Sequence, residues 1–357
     1  MKAEDNSILR KSSRSLHKST IKSNKSTIKS SKSTTGHFDI IDPNDYQFFG
    51  KIGKGGYGLV KLCQHIETNK IYAMKILKKA DVLKKKLVEH VRNEYNILES
   101  LCHPFIVEVK GLNHRNPYTL NFLMEYIPGG ELLTLIRKNK QLPIEHAKFY
   151  AASIITIFDY IHRKNIIYRD LKPENILLNR DGFIKLIDFG LAKEMTTEKT
   201  YTICGTPEYC SPEMINKTGH GIGVDFWSLG VLIYEMLVGV SPFYDKDPAK
   251  IYEKINRGKI QYPSNMDENA KILIKHLLMP IEEKRLGCTK GGIYELISHP
   301  FFNKYDWKGL LFKNIKPPYI PVVNGNIDTS NFTKLNDPEL EEDLKPVNLD
   351  NDPFYNW

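Results

Sequence analysis

The distribution of apolar residues divides the chain into regimes. Residues 1–37 hold few large apolar side chains and consist largely of Ser, Thr and Lys. Further on, the stretches 46–52, 59–64 and 71–78 are rich in β-branched, aromatic and aliphatic residues and read as strands. Leu87, Val91, Tyr95 and Leu98 recur at three- and four-residue intervals, which predicts a helix over 87–101. Two more strands are predicted over 105–112 and 120–126, and Pro128-Gly129-Gly130 closes the second. After that point helical periodicity dominates, over 144–162, 224–240, 250–256 and 270–278. One hairpin interrupts it: strands over 176–178 and 183–187 joined by Asn179-Arg180-Asp181-Gly182. Asp-Gly is a strong hairpin signal because glycine takes φ > 0 without steric cost. The predicted class is α+β with two lobes. A small strand lobe with one helix leads through an extended joint at 125–131 into a larger helical lobe, with a cleft between them. Residues 303–357, rich in Pro, Asn and acids, read as an extended arm.

Charge and composition alter this picture only at the ends. The 357 residues supply ample material for a large core. The formal net charge is +9, but residues 1–36 hold nine Lys/Arg against Glu4 and Asp5, so most of the excess lies there. That segment repeats itself, KSTIKSN at 18–24 and KSTIKSS at 25–31. It cannot bury enough apolar surface to offset its ordering entropy, so 1–37 is expected to be a disordered basic tail. Weak contact with an anionic membrane surface, nucleic-acid contact and phosphorylation stay open for the tail, Arg10-Lys11-Ser12-Ser13 being the best acceptor pattern. No apolar run is long enough to span a membrane, and no dedicated nucleic-acid site is visible. Five cysteines without a CxxC pair read as reduced thiols, which points to the cytoplasm, with the nucleus as an alternative.

The chemistry concentrates in 168–190, YRDLKPENILLNRDGFIKLIDFG. An antiparallel return brings Asp188 beside Asn175, at the open end of the hairpin where Asp170 and Lys172 also lie. Mg²⁺ is a hard ion that takes oxygen ligands and keeps water and phosphate for the rest. Asp188 and Asn175 can supply protein oxygens, Asp170 can accept a proton from a hydroxyl, and Lys172 can neutralise a phosphoryl group in transfer. Each residue alone could be a solvated surface group; their joint spacing points to phosphoryl transfer.

Gly53-Lys54-Gly55-Gly56-Tyr57-Gly58, with Val60 following, is a G-x-G-x-x-G-x-V run. Glycines let backbone N–H groups approach phosphate oxygens closely. The run lies between two predicted strands, which favours a hairpin lid over ATP rather than a dinucleotide-binding turn. Lys75, amid Ile71, Ala73, Ile76 and Leu77, would be costly to desolvate unpaired. Glu94 on the next helix is its natural partner, and the pair would hold the ammonium against phosphates.

With these motifs in view, residues 46–302 resemble a eukaryotic protein kinase. The resemblance extends to the AGC group and its cAMP-dependent catalytic subunits through YRDLKPEN (168–175), YTICGTPEYCSPE (201–213), MEYIPGGE (124–131), DTSNF (328–332) and the terminal Phe354-Tyr355-Asn356-Trp357. It implies ATP and two Mg²⁺ ions as cofactors. Met124 would back the adenine pocket, the backbones of Glu125 and Ile127 would bind adenine, Glu131 would lie near the ribose, and Phe332 would reach the pocket. Asp170 would be the catalytic base, and Asn175 and Asp188 the Mg²⁺ ligands. Thr206 would hydrogen-bond in the same loop. Thr202 aligns with an activation-loop phosphosite, with Arg169, Lys193 and His90 as its ligands, and Glu213 with Arg285 would form a buried ion pair. Phe354 and Trp357 would dock beside the Glu94 helix.

The resemblance also implies substrates of the form Arg-Arg-x-Ser/Thr followed by an apolar residue. Glu131, Glu174 and Glu235 would bind the arginines, and Ile203, Pro207 and Cys210 the apolar residue. No segment reads as a cyclic-nucleotide-binding domain, so control by a separate cAMP-binding regulatory subunit is implied. Alternatives are a cGMP-dependent or other AGC kinase, a pseudokinase scaffold, and a nucleic-acid binder acting through the tail. Leu335 stands where the family has a tyrosine, and Glu339–Asp343 would replace a turn-motif phosphate with fixed charge.

Overall fold

A computed structural model describes residues 39–55, 58–333, 345–348, 352–355 and 357. The expectations for the 1–37 tail, Gly56, Tyr57, Leu335, Glu339–Asp343 and Asn356 lie outside them. Residues 38–357 form one unit. Its first part is a six-stranded sheet built from β1 (Asp39–Ile40), β2 (Tyr46–Gly55), β3 (Gly58–His65), β4 (Ile71–Lys78), β5 (Val109–Asn113) and β6 (Thr119–Glu125). The order across the sheet is β1-β5-β6-β4-β3-β2, antiparallel except for β1 with β5. The pairing Gly55↔Gly58 closes the glycine-rich hairpin, and Val60↔Lys75↔Phe122 aligns three strands across its middle.

Between β4 and β5 lie α1 (Lys79–Lys84) and α2 (Val88–Ser100). The second buries Val91, Glu94, Tyr95, Ile97 and Leu98, the i, i+3, i+4 stripe expected of a half-buried helix. Glu94 therefore sits on the apolar face, where a carboxylate needs a partner. On the outer side, Phe354 is fully buried among Leu77, Val82, Val91, Tyr95, Leu112, Leu120 and Phe122. Trp357 packs on Tyr95 with ring centroids 4.8 Å apart. Lys79 pairs with Asp352, both side chains fully excluded from solvent, and its Nζ also donates to the His114 carbonyl at 2.6 Å. Phe354 and Trp357 are thus structural components of the small lobe, docked beside the Glu94 helix as the resemblance implies.

The larger lobe follows through α3 (Leu132–Asn139) and the long α4 (Ile144–His162). The short strand β7 (Ile166–Ile167), the hairpin β8 (Ile176–Leu178) and β9 (Ile184–Leu186), and β10 (Lys193–Glu194) then carry the catalytic-loop sequence. Six helices come after: α5 (Pro212–Ile215), α6 (Gly223–Val238), α7 (Pro248–Arg257), α8 (Glu268–Leu277), α9 (Ile293–Ile297) and α10 (Trp307–Leu311). Helix α6 is apolar on all sides, and all but three of its residues are buried, as befits a helix at the centre of a core.

Two expectations need correction. The strand predicted over 105–112 begins only at Val109. Phe105 and Val107 instead pair with the hairpin: Leu186 N–H donates to Phe105 O at 2.7 Å and Val107 N–H to Leu186 O at 3.0 Å. An apolar run records that a backbone is buried, not which strand takes its hydrogen bonds. The arm at 303–357 is extended for most of its described length but includes α10. Helices α1 and α3 were not anticipated; α1 is short and lysine-rich, and α3 follows directly on the Gly129-Gly130 turn.

Candidate active site

The cleft between sheet and helices gathers four sets of side chains. On the sheet side, Lys75 Nζ lies 2.5 Å from Glu94 Oε1. Burial opposes the ammonium, but the carboxylates of Glu94 and Asp188 more than offset it, and the Lys75 pKa is raised. Gly58 has a steric reason to lack a side chain, since a Cβ there would stand 2.3 Å from the Ile76 carbonyl. At Gly53 a Cβ would meet only Val60, at 3.5 Å, so packing does not require that glycine.

Facing them is the loop before β8. Lys172 Nζ donates to Asp170 Oδ2 at 2.9 Å and to Thr206 Oγ1 at 3.2 Å. Asn175 Nδ2 donates to both the carbonyl and Oδ2 of Asp170, each at 2.8 Å. Two acceptors on one side fix the amide orientation, so its oxygen points away from Asp170. Burial pushes the Asp170 carboxyl up, with Lys172 and Asn175 opposing. Asp188 joins from β9 as predicted, Ile187 N–H donating to Asn175 O at 2.9 Å.

Backbone strain marks this spot. Arg169 (φ 67°) and Asp188 (φ 60°) occupy the left-handed region, which non-glycine residues rarely adopt. Each costs about 1–3 kcal/mol and must be held by its surroundings. Asp225 holds the first: its carboxylate accepts from Tyr168 N–H at 2.9 Å and Arg169 N–H at 2.8 Å, and its Oδ2 lies 2.8 Å from His162 Nε2. The Tyr168 hydroxyl secures the second by donating to Ile187 O at 2.6 Å. The residue types present fit a hard cation: a carboxylate at Asp188 and an amide oxygen at Asn175 are what Mg²⁺ accepts. Among the described residues no group of three or more His, Cys, Asp or Glu is placed to hold a metal. An ion here would take its remaining ligands from phosphate and water.

At the joint lie the residues expected to line an adenine pocket. Met124 is half-buried and Ile127 buried. The arm crosses here: Asn331 Nδ2 donates to Pro128 O at 3.1 Å, and Phe332 packs on Tyr126 with centroids 6.1 Å apart. Glu131 faces Glu174, and Glu174 in turn faces Glu235 and Glu208. Burial raises the Glu235 carboxyl to about 7; the Tyr209 hydroxyl, bonded to it, opposes, while Glu174 and Glu208 add to the rise. Of the proposed apolar pocket, Ile203 is exposed, Pro207 half-buried and Cys210 buried. The Cys210 side chain therefore forms part of the support under the loop, against Met214 and Val224, rather than an open wall.

Thr202 is exposed. Arg169 Nε donates to Leu191 O at 2.8 Å while its Nη1 is buried with no hydrogen-bond partner among the described residues. Lys193 bonds Thr200 Oγ1 at 2.9 Å, and His90 is exposed on α2. The structure does not bring the three expected ligands onto Thr202. Gly205 (φ 92°) lets this segment pass over the loop, where a Cβ would come within 2.8 Å of Arg169 O. Below it, Glu213 and Arg285 form the expected pair, a two-pronged contact at 2.7 and 2.9 Å with Arg285 fully buried.

A model of the protein kinase domain matches residues 46–302. The chain belongs to the protein kinase family. Within that family it is 45% identical to the cAMP-dependent protein kinase catalytic subunit 3 of Drosophila melanogaster over 304 residues, 85% of this chain and 51% of that protein. It is 43% identical to the cAMP-dependent protein kinase catalytic subunit PRKX of Homo sapiens, over 81% of this chain and 80% of that one. With the cAMP-dependent protein kinase type 3 of Saccharomyces cerevisiae the identity is 40%, over 86% and 76%. The chain spans about half the length of the Drosophila protein and 57% of the cAMP-dependent protein kinase catalytic subunit of Arthrobotrys oligospora, to which it is 45% identical. No described helix is long and apolar enough to cross a membrane.

Sequence reasoning missed residues that make the kinase site rigid. Asp225 was counted only as part of an apolar helix, and an acid standing directly before the apolar run FWSLGVLIY was the available signal. Glu208 was not grouped with the other glutamates because its neighbourhood depends on the path of the 201–213 segment. The Lys185–Glu125 and Lys79–Asp352 pairs link positions too far apart in sequence to be matched by pattern.

Proposed function

We propose that this chain is an ATP- and Mg²⁺-dependent protein serine/threonine kinase acting on basic substrates. The observation that carries the reading is the convergence of the Lys75–Glu94 pair, the Asp170–Lys172–Asn175 network and Asp188 in one cleft. Lys75, steadied by Glu94, binds the nucleotide phosphates. Asp188 and Asn175 would hold Mg²⁺, which when bound neutralises charge on the phosphates. Asp170 orients the incoming hydroxyl and accepts its proton, and Lys172, already bridging Asp170 and Thr206, faces the transferred group. The buried Nη1 of Arg169, which has no hydrogen-bond partner among the described residues, supports a phosphate on Thr202 as the ligand that completes the loop. Similarity to cAMP-dependent catalytic subunits supports control by a separate cAMP-binding regulatory subunit. The reading is tested by incubating purified protein with labelled ATP, Mg²⁺ and an Arg-Arg-x-Ser peptide. Transfer of label is expected, and its absence with Thr202 phosphorylated would overturn the assignment.

Glu131, Glu174 and Glu235, joined by Glu208, form the arginine-binding face. Guanidinium pairs well with a carboxylate through two hydrogen bonds. With its pKa near 7, Glu235 is largely neutral at pH 6 and ionised at pH 8. Only the ionised form attracts an arginine, so peptide affinity should rise by about five- to tenfold between those pH values. Binding measured by calorimetry should also release protons near pH 7. Glu235→Gln should flatten the profile; a wild-type profile already flat would remove Glu235 from this role.

A further inference from the structure

Lys185 lies on β9, three residues before Asp188, and is buried. Its Nζ donates to Glu125 Oε1 at 2.6 Å and to Ile106 O at 3.1 Å. Glu125 is the last residue of β6 and the first of the joint. The same Oε1 accepts from Glu108 N–H at 2.8 Å, and Glu125 N–H donates to Glu108 O at 3.0 Å. Glu108's own carboxylate is turned to Lys110 at 2.5 Å, so it does not compete for Lys185. His103, the other basic group beside Lys185, is pushed down to about 3, by burial first and then by the Lys185 charge, and stays neutral.

One ammonium thus ties together three segments: the 103–108 stretch leaving the Glu94 helix, the joint, and the strand that delivers Asp188. A mostly buried ion pair is a weak source of net stability, because desolvation offsets much of the attraction. Its geometric effect is stronger, since among the described residues each of the two has the other as its salt-bridge partner. We propose that Lys185 and Glu125 are a positioning pair for the nucleotide. They set the backbone of the joint, where adenine would bind, relative to the strand carrying Asp188, where the phosphates would bind. The inference rests on the kinase reading; it adds Lys185, which that reading does not assign, and gives the Glu125 side chain a role beyond that of its backbone.

The test uses the full chain with Lys185→Gln, Glu125→Gln, the double variant, Lys185→Arg, and the exchanged pair Lys185→Glu with Glu125→Lys. KM for ATP and for a basic peptide, the Kd for Mg-ATP by calorimetry, and Tm are measured. Each Gln variant should weaken Mg-ATP binding and raise the ATP KM by about three- to tenfold, with the peptide KM within about twofold. The double variant should be no worse than the singles, and Lys185→Arg should recover most of the loss. If Tm falls while the ATP and peptide constants move together or not at all, the pair is only structural and the proposal fails. Calorimetry keeps the two ideas apart. A wild-type chain that binds Mg-ATP but transfers no phosphate overturns the kinase reading, while the variants still report on the pair. A wild-type chain that binds no Mg-ATP overturns both.

Discussion

Replacing Asp170 with alanine is expected to lower kcat by about 10²- to 10⁴-fold, the range for losing a positioned proton acceptor. The argument is geometric. Lys172 and Asn175 both donate to Asp170 Oδ2, so the orientation of the carboxylate is fixed and Oδ1 is the less engaged oxygen. Burial raises its pKa, which strengthens it as a base. The same shift means that protonation removes activity at a higher pH than for an ordinary aspartate, so the acid limb of the pH–rate profile should lie above the ordinary aspartate value. Alanine also removes the carboxylate acceptor from Asn175 and Lys172, leaving them the residue-170 carbonyl and Thr206 Oγ1 respectively. Tm and the Kd for Mg-ATP must therefore be measured alongside the rate. The prediction holds if the rate collapses while both stay near wild type. A change of less than tenfold would transfer the proton acceptor's role elsewhere.

Glu213→Ala is expected to give the largest loss of stability, about 3–5 kcal/mol, because it leaves a charge buried without its counter-ion. Arg285 has no solvent exposure, and the Glu213 carboxylate is its only acidic partner in a salt bridge among the described residues. Its remaining contacts are the Gly223 and Met279 carbonyls and the face of Trp227. In thermal unfolding this should appear as a fall in Tm of roughly 10 °C for a domain of this size. Glu213→Gln, which retains an acceptor, should lose less. Burial works to raise the Glu213 carboxyl, but Arg285 outweighs it and the pKa is lowered. The sign follows: the pair's stabilisation is present above the usual carboxylate pKa and is lost as pH falls through the depressed value. If Glu213→Ala unfolds within a degree or two of wild type, the pair is not a support.

The chemistry of the site was legible in the sequence because it rests on short-range geometry. A hairpin with an Asp-Gly turn must return Asp188 to Asn175, and no distant element can alter that. The Lys75–Glu94 pair was legible because a lysine on an apolar strand and a glutamate on an apolar helical face each lack an alternative. The strand over 105–112 was misjudged because hydrophobicity does not specify a hydrogen-bond partner, and Leu186 lies far away in sequence. Asp225 escaped for a related reason: its acceptors are satisfied by the backbone of Tyr168 and Arg169, and main-chain partners leave no trace in residue type. The Thr202 cluster differs again. Arg169 has a vacant donor nearby, but Lys193 is engaged by Thr200, so the arrangement expected from resemblance is not formed around an unmodified threonine.

The aromatic plug at Phe354 has a consequence for how the molecule is made. The Lys79–Asp352 link joins positions 273 apart in sequence. A nascent chain therefore cannot close its first lobe until residues 352–354 have left the ribosome. During that interval a greasy slot remains open to any passing segment, the condition under which long-range topologies become prone to aggregation. Synthesis that stalls before Asp352 should therefore leave a protein that is not merely shorter but unsealed at its small lobe.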